Sequence, residues 1–293
     1  MNGSQPGILA PIPSHCRYLE FGLAPDLDPA PGLRNLASRA GSGSVVVGLG
    51  PSPIKRLGRD IAGLHGFAGL SGPGCEAPST QADLWLWLRG ADRGRIAHLA
   101  RALDSAAGPA FRRQRVVDGF KFDRGLDLTG YEDGTENPKD GAAVEAAIVQ
   151  GAGSGLDGSS FVSVQQWAHD LDRFERMSRQ EQDNSVGRRL ADNAELKEAP
   201  ISAHIKRTAQ ESFDPPAFVL RRSMPWADAG GEGLMFVAFG RSLQAFEAQL
   251  RRMTGQEDGV ADALFRFSRP ISGSHFWCPP VKDGKLSLAA LGL

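Results

Sequence analysis

Three positions stand out by residue type and setting. The first is an acidic residue bracketed by glycines, in Gly130-Tyr131-Glu132-Asp133-Gly134-Thr135-Glu136-Asn137. Glycine reaches φ > 0 and lets other atoms approach the backbone closely. A carboxylate held in such a turn is aimed by the main chain, as acid–base work requires. The same residues also fit a plain acidic surface turn, because Asp-Gly favours turns on its own. The second position is His204, in Ala203-His204-Ile205-Lys206-Arg207 after Pro200. One neutral imidazole can be the sole protein ligand of haem iron. Such a ligand needs its other ring nitrogen on a carboxylate or carbonyl, and Asp262 is the candidate partner. An ordinary half-buried histidine is the plainer reading. The third is Arg221-Arg222, which ends the apolar run Phe218-Val219-Leu220. An arginine at a strand end projects a fixed fork of donors, and the apolar lead brings at least one of the two near the core.

Other chemistries are poorly supplied. The remaining histidines, His15, His65, His98, His169 and His275, show no HExxH or similar metal-ligand spacing. The expectation is that His98 lies on a helix face, His275 packs near Trp277, and His15 is solvated in a Pro-rich lead-in. Cys16, Cys75 and Cys278 are odd in number and far apart, which argues against a disulfide framework. Val47-Gly48-Leu49-Gly50-Pro51 lacks the last glycine and the helix start of a dinucleotide-binding turn. The 293 residues carry a net charge of -1, with no dense basic block for nucleic acid or an anionic membrane. The N-terminus lacks a basic stretch followed by an apolar core, and no apolar run is long enough to cross a bilayer. A cytoplasmic protein is expected.

The elements that must position these residues come in two similar sets. Strands are predicted at Arg17 to Gly22, Ser44 to Leu49, Asp83 to Leu88 and Gln114 to Phe122, with helices at Gly32 to Arg39 and Ala91 to Ala107. Further on, strands are predicted at Ser160 to Trp167, Ala217 to Arg221 and Leu234 to Phe239. Asp170 to Val186 reads as polar and helical, and Ser242 to Met253 as an amphipathic helix. In both sets a hydrophobic strand leads through Gly and Arg into a helix: Leu88-Arg89-Gly90 and Phe239-Gly240-Arg241. The fold class is α+β, with a duplicated antiparallel sheet and its helices. The Gly-, Ala- and Ser-rich segment from Asp140 to Ser159 is the expected connection, with a short helix at Ala142 to Gln150. Pro51 to Thr80 is long for a connection and reads as a binding or covering loop.

Taken together, the chain resembles the dye-decolourising peroxidases, a haem peroxidase family, and most closely their B-type branch. The resemblance rests on Gly130 to Pro138, His204-Ile205-Lys206-Arg207 and Leu220-Arg221-Arg222-Ser223-Met224-Pro225. Gln5 to Leu9, Trp167 to Leu171, Val186-Gly187-Arg188 and Leu234 to Ala238 add to it. The resemblance implies two ferredoxin-like modules, residues 1–140 and 141–293, the second holding one haem b per chain. It makes His204 the proximal iron ligand, Asp133 and Arg221 the distal pair, Ser223 a polar distal neighbour and Asp262 the proximal carboxylate. Arg207 and His169 are candidate partners for the haem propionates.

The implied activity is reduction of hydrogen peroxide coupled to one-electron oxidation of dyes, phenols or similar donors. An arginine beside a carboxylate favours its charged form and stabilises negative charge on a departing oxygen. Arg221 is expected to weigh more than Asp133, and a carboxylate acid–base group implies an acidic optimum. Tyr131 and Trp226 could carry electrons outward, or could simply pack. A haem-binding or iron-releasing protein of the same fold is the alternative activity. A non-enzymatic binding module would leave Asp133, His204 and Arg221 unexplained as a set. The resemblance also implies a homo-oligomer. The apolar tail from Lys285 to Leu293 is expected to pack on its own or a neighbouring subunit rather than dock into a nanocompartment.

Overall fold

Residues 84–88 alternate leucine with tryptophan, and the fold uses that period of two directly. The computed structural model describes residues 3–293. In the strand Leu84–Gly90, Leu84, Leu86 and Leu88 face outward beneath helices, while Trp85 and Trp87 face inward. This strand lies in a sheet ordered Val45–Leu49, Leu84–Gly90, His15–Leu23, Phe111–Phe120, with antiparallel neighbours throughout. The helices Ala30–Arg39 and Arg93–Ala107 cover its outer face. Leu33, Leu36, Ile96 and Leu103 fill the space between helices and sheet.

The second half repeats the arrangement. Ser274–Cys278, Ser160–His169 and Gly231–Gly240 lie side by side, and Gly231–Gly240 also pairs with Met224–Asp228 and Leu220–Arg221. In each half the first and third strands are central, flanked by the second and fourth, which is the ferredoxin-like order. The halves join edge to edge through the pairs Trp277 with Leu49 and Gly119 with Trp226. The strands thus close into a ring. Its interior holds Tyr18, Trp85, Trp87, Phe239 and Phe276, with Trp85 and Phe276 stacked at 5.9 Å.

The halves differ in the connection after their first strand. In the first half it is essentially the helix Ala30–Arg39. In the second, residues 170–219 intervene, with the short helices Leu171–Arg176, Arg179–Val186 and His204–Arg207. The third connection is again one amphipathic helix, Gln244–Met253, which buries Phe246, Leu250 and Met253.

Several sequence expectations need adjustment. The strand expected from Gln114 begins at Phe111, because Phe111 is buried beside Leu23 and the intervening arginines lie on a solvent-facing side. Only Leu220–Arg221 of the run 217–221 pairs as a strand. Residues 217–219 are bound by glutamines instead: Ala217 N donates to Gln210 O, Val219 N to Gln210 Oε1, and Gln249 Nε2 to Ala217 O. The connecting helix is Asp140–Ala147. Pro51 to Thr80 contains a short helix, Pro51–Arg56, and a hairpin, Leu70–Gly72 with Cys75–Ala77. His15 opens the first strand and is half-buried. The tail packs on its own chain: Leu286, Leu288 and Leu291 enter the first-half core. No helix among the described residues is long and apolar enough to cross a membrane.

Candidate active site

Between the second-half sheet and the helix Gln244–Met253 lies a cavity of about 890 Å³ of empty space, counting its open mouth. Leu234, Phe236, Phe246, Leu250, Met253 and Phe267 supply apolar walls. His204, Asp133, Arg221 and His169 bring the polar groups. The three residue groups singled out by type and spacing therefore meet in one cavity.

His204 opens the helix His204–Arg207. Its Nδ1 lies 2.8 Å from Asp262 Oδ2. The Asp262 side chain is fully shielded and also accepts from Leu264 N at 2.8 Å, as the cap of the turn Ala263–Arg266. The carboxylate assigns the ring proton to Nδ1, which leaves the Nε2 lone pair free for a metal. Gly187 makes room for this segment: its φ is +94°, and a Cβ there would sit 2.4 Å from the Ile205 side chain.

The Asp133 turn is fixed from several sides. Asp127 accepts from Thr129 N and Thr129 Oγ1 through one oxygen and meets His169 Nε2 at 3.1 Å through the other. Asn193 Nδ2 donates to both Glu132 and Thr135, and Arg188 pairs with Glu136. Gly134 has φ +81°, and a Cβ there would come within 2.7 Å of the Asn137 amide. That amide accepts from Arg221 N at 2.8 Å and donates to Arg221 O at 3.0 Å. The turn is thus clasped to the strand carrying Arg221. Arg221 Nε stands 3.8 Å from Asp133 Oδ1, a Coulombic contact too long for a hydrogen bond. Arg222 points the other way and donates to Ile8 O and Leu9 O.

Buried ionisable groups flank this core. Burial alone would raise the Asp127 carboxyl, but its hydrogen bonds from His169 and Thr129 hold it below the usual range. Burial, together with its bond to Asp183, pushes the Tyr131 hydroxyl up.

Some expected site residues lie elsewhere. Arg207 does not face the cavity: its buried guanidinium binds Asp258 at 2.7 and 2.8 Å and donates to Arg252 O. The paired bonds to the Asp258 carboxylate and the bonds to a main-chain carbonyl already occupy its donors. Ser223 is buried and is not among the lining residues; its hydroxyl receives Val237 N at 3.4 Å. Trp226 is a core residue whose Nε1 donates to Trp167 O. Sequence reading missed Asp127, Thr129, Gln165, Gln249 and the Asn137 clasp. Asn137 alone carried a signal, at the end of the glycine-bracketed turn.

This arrangement has close counterparts. The family description "Dyp-type peroxidase, N-terminal" matches residues 32–121, and "Dyp-type peroxidase, C-terminal" matches residues 124–283. A "Dye-decolorizing peroxidase" of Mycobacterium tuberculosis is 32% identical over 246 residues, 81% of this chain and 73% of its own. A putative dyp-type peroxidase from Shewanella oneidensis superposes with a TM-score of 0.88 at 28% identity, covering 99% of this chain and 98% of its own. A variant of Rhodococcus jostii DypB in complex with heme superposes with a TM-score of 0.83 at 30% identity, covering 93% and 94%. With both family segments in sequence and a cavity gathering an imidazole, a carboxylate and a guanidinium, the chain belongs to the dye-decolourising, Dyp-type peroxidase family.

Proposed function

We propose that this chain is a haem b peroxidase of the B-type branch, with one haem held by His204. The observation that carries this reading is His204 itself. Its Nδ1 is committed to a shielded carboxylate, and its other nitrogen is free beside an apolar cavity. An N-donor backed by a carboxylate suits haem iron, and the Leu, Phe and Met walls suit a flat macrocycle. When bound, haem supplies the redox-active iron that peroxide reduction requires.

The chain's own residues then divide the work. Asp133 would take a proton from one oxygen of hydrogen peroxide and give it to the other, which can then leave as water when the O–O bond breaks, the two electrons for that cleavage being supplied by bound haem. Arg221 stabilises negative charge on that departing oxygen from a position preset by the Asn137 clasp. Two one-electron donors, small molecules such as dyes or phenols, would return those electrons, and with two protons the second oxygen would leave as water. Asp262 keeps the imidazole oriented and electron-rich. His169, paired with Asp127 and Ser268, is the cavity's candidate partner for a haem propionate. Family membership and the Asp133–Arg221 pair favour peroxide turnover over iron release. The same reading divides the chain into modules 1–140 and 141–293, with the Asp133 turn closing the first and reaching into the cavity of the second.

Expression with ample haem, followed by absorption spectroscopy and peroxide-dependent dye oxidation, tests the proposal. Wild type should carry a strong Soret band and turn over. His204→Ala should lose both, while Arg221→Ala keeps the band and loses turnover. A haem-supplied wild type without a Soret band would refute the assignment.

A further inference from the structure

A second constellation of ligand-type side chains lies behind the cavity wall. His65 comes from the long segment after the helix Pro51–Arg56, Glu247 from the helix Gln244–Met253, and His275 from the strand Ser274–Cys278. Each offers one donor atom, and the three donors lie within 4.8 Å of one another. His65 Nε2 and Glu247 Oε1 are 2.6 Å apart, and the His65 and His275 rings meet edge to face at 5.5 Å.

His275 supplies an independent observation. It is 1% exposed, and neither of its ring nitrogens has a hydrogen-bond partner. The main chain at His65 lies beside the ring without meeting hydrogen-bond geometry. A buried polar group ordinarily finds a partner, because an unmet one costs the desolvation of that group. Phe67 and Phe246 pack against the ring at 5.1 and 5.8 Å, while His65 and Glu247 each hold a donor atom within 4.8 Å of one of its nitrogens. A cation at that point would satisfy one of the two orphaned nitrogens.

We propose that His65, Glu247 and His275 form a divalent-metal site of the zinc class, separate from the His204 cavity. Two imidazoles and one carboxylate are a donor set that zinc accepts with one position left open. Bonds of about 2.0–2.2 Å place donors roughly 3–4 Å apart, so adjustments of an ångström or less assemble the site. His65, half-exposed at its side chain, is free to make them. Glu247 is oriented by Arg251, whose Nη2 lies 4.0 Å from the other carboxylate oxygen. His65 and Glu247 also line a separate surface cavity, together with Arg241, Phe213 and Phe218, which gives an ion a route from solvent. Phe246, which packs against His275, also lines the cavity of His204. The ion would clip the 57–69 segment onto the helix that walls that cavity.

The test uses the full haem-loaded chain, stripped with a chelator and titrated with zinc chloride by calorimetry. Wild type should bind one zinc per chain, and X-ray absorption at the zinc edge should report two imidazoles and one oxygen. His65→Ala and Glu247→Gln should each weaken binding by at least about tenfold, with the Soret band and melting temperature of the metal-free chain unchanged. His65 is half-exposed and Glu247→Gln nearly isosteric, so neither change threatens folding. Zinc affinity equal in wild type and both variants, or no zinc uptake by wild type, would overturn the site.

Discussion

In the first module the space between sheet and helices is closed by side chains: Leu33 and Leu36 from one helix, Ile96 and Leu103 from the other, over Leu84, Leu86 and Leu88. In the second module the corresponding space is open, walled by Leu234 and Phe236 from the sheet and by Phe246, Leu250 and Met253 from the helix. The strand order is shared, so topology does not make the cavity. What differs is the connection after the first strand. A single amphipathic helix, Ala30–Arg39, lays its Leu33 and Leu36 face on the first sheet. The 170–219 connection breaks into short polar helices that stand off the second sheet and put His204 at the rim of the gap. A duplicated scaffold becomes a site where one copy declines to fill its own core.

The contrast is sharpest where polar groups enter the hollow half. Arg221→Ala removes the only guanidinium lining the cavity among the described residues and should lower the rate of peroxide cleavage by about 100- to 1000-fold, read by stopped-flow mixing with hydrogen peroxide. Asp133→Ala should cost less, on the order of tenfold to a hundredfold. The reverse order would make the carboxylate dominant and the arginine auxiliary. Asp262→Asn should come next, at about 10- to 100-fold in haem affinity or turnover. Its signature is a raised iron reduction potential, because the imidazole loses its anionic partner. An unchanged potential would limit Asp262 to a packing role.

The filled half should answer differently. Leu103 is fully buried between helix and sheet, and Leu103→Ala should cost about 2–5 kcal/mol of stability. Denaturant unfolding measures this. Turnover per haem-loaded molecule should remain at the wild-type level. A parallel loss of turnover would mean that the two modules are coupled more tightly than their edge-to-edge joins suggest.

The same contrast explains how far the sequence could be read. The first module was legible almost strand by strand, since alternating Leu and Trp and helical runs of Leu state which face is buried. Asp133, His204 and Arg221 were legible as types in special settings, and Asp262 as the carboxylate that the family resemblance implies. Arg207 misled because proximity to His204 in sequence says nothing of a partner 51 residues on, Asp258. Ser223 misled because adjacency to Arg221 does not say which neighbour its hydroxyl meets. Asp127, Gln165 and Gln249 carry no local signal. They matter only because the chain returns to the cavity from distant positions.

The smallest expected effects concern pH, and the cavity rim and the interior of the ring should show opposite signs. Asp127, beside the cavity, has its carboxyl held below the usual range in spite of burial, by His169 and Thr129. As pH falls, the unfolded chain takes up this proton first, so the stability Asp127 contributes is present above about pH 4 and is lost as pH drops through the folded value. Glu20, on the interior face of the first module, is the reverse. Burial raises its carboxyl, and Arg115 Nε at 3.4 Å only partly opposes that. The folded state then takes up the proton first, so protonation of Glu20 adds stability as pH falls toward about 4, where the unfolded carboxylate also begins to titrate. Melting temperatures measured from pH 7 down to pH 3 separate the two groups. Asp127→Asn should flatten the acid-side loss, whereas Glu20→Gln should stabilise at neutral pH and remove the gain. Glu20→Gln that destabilises at pH 7 would mean that the Arg115 pair outweighs the burial cost, and that the filled module also depends on a charged pair.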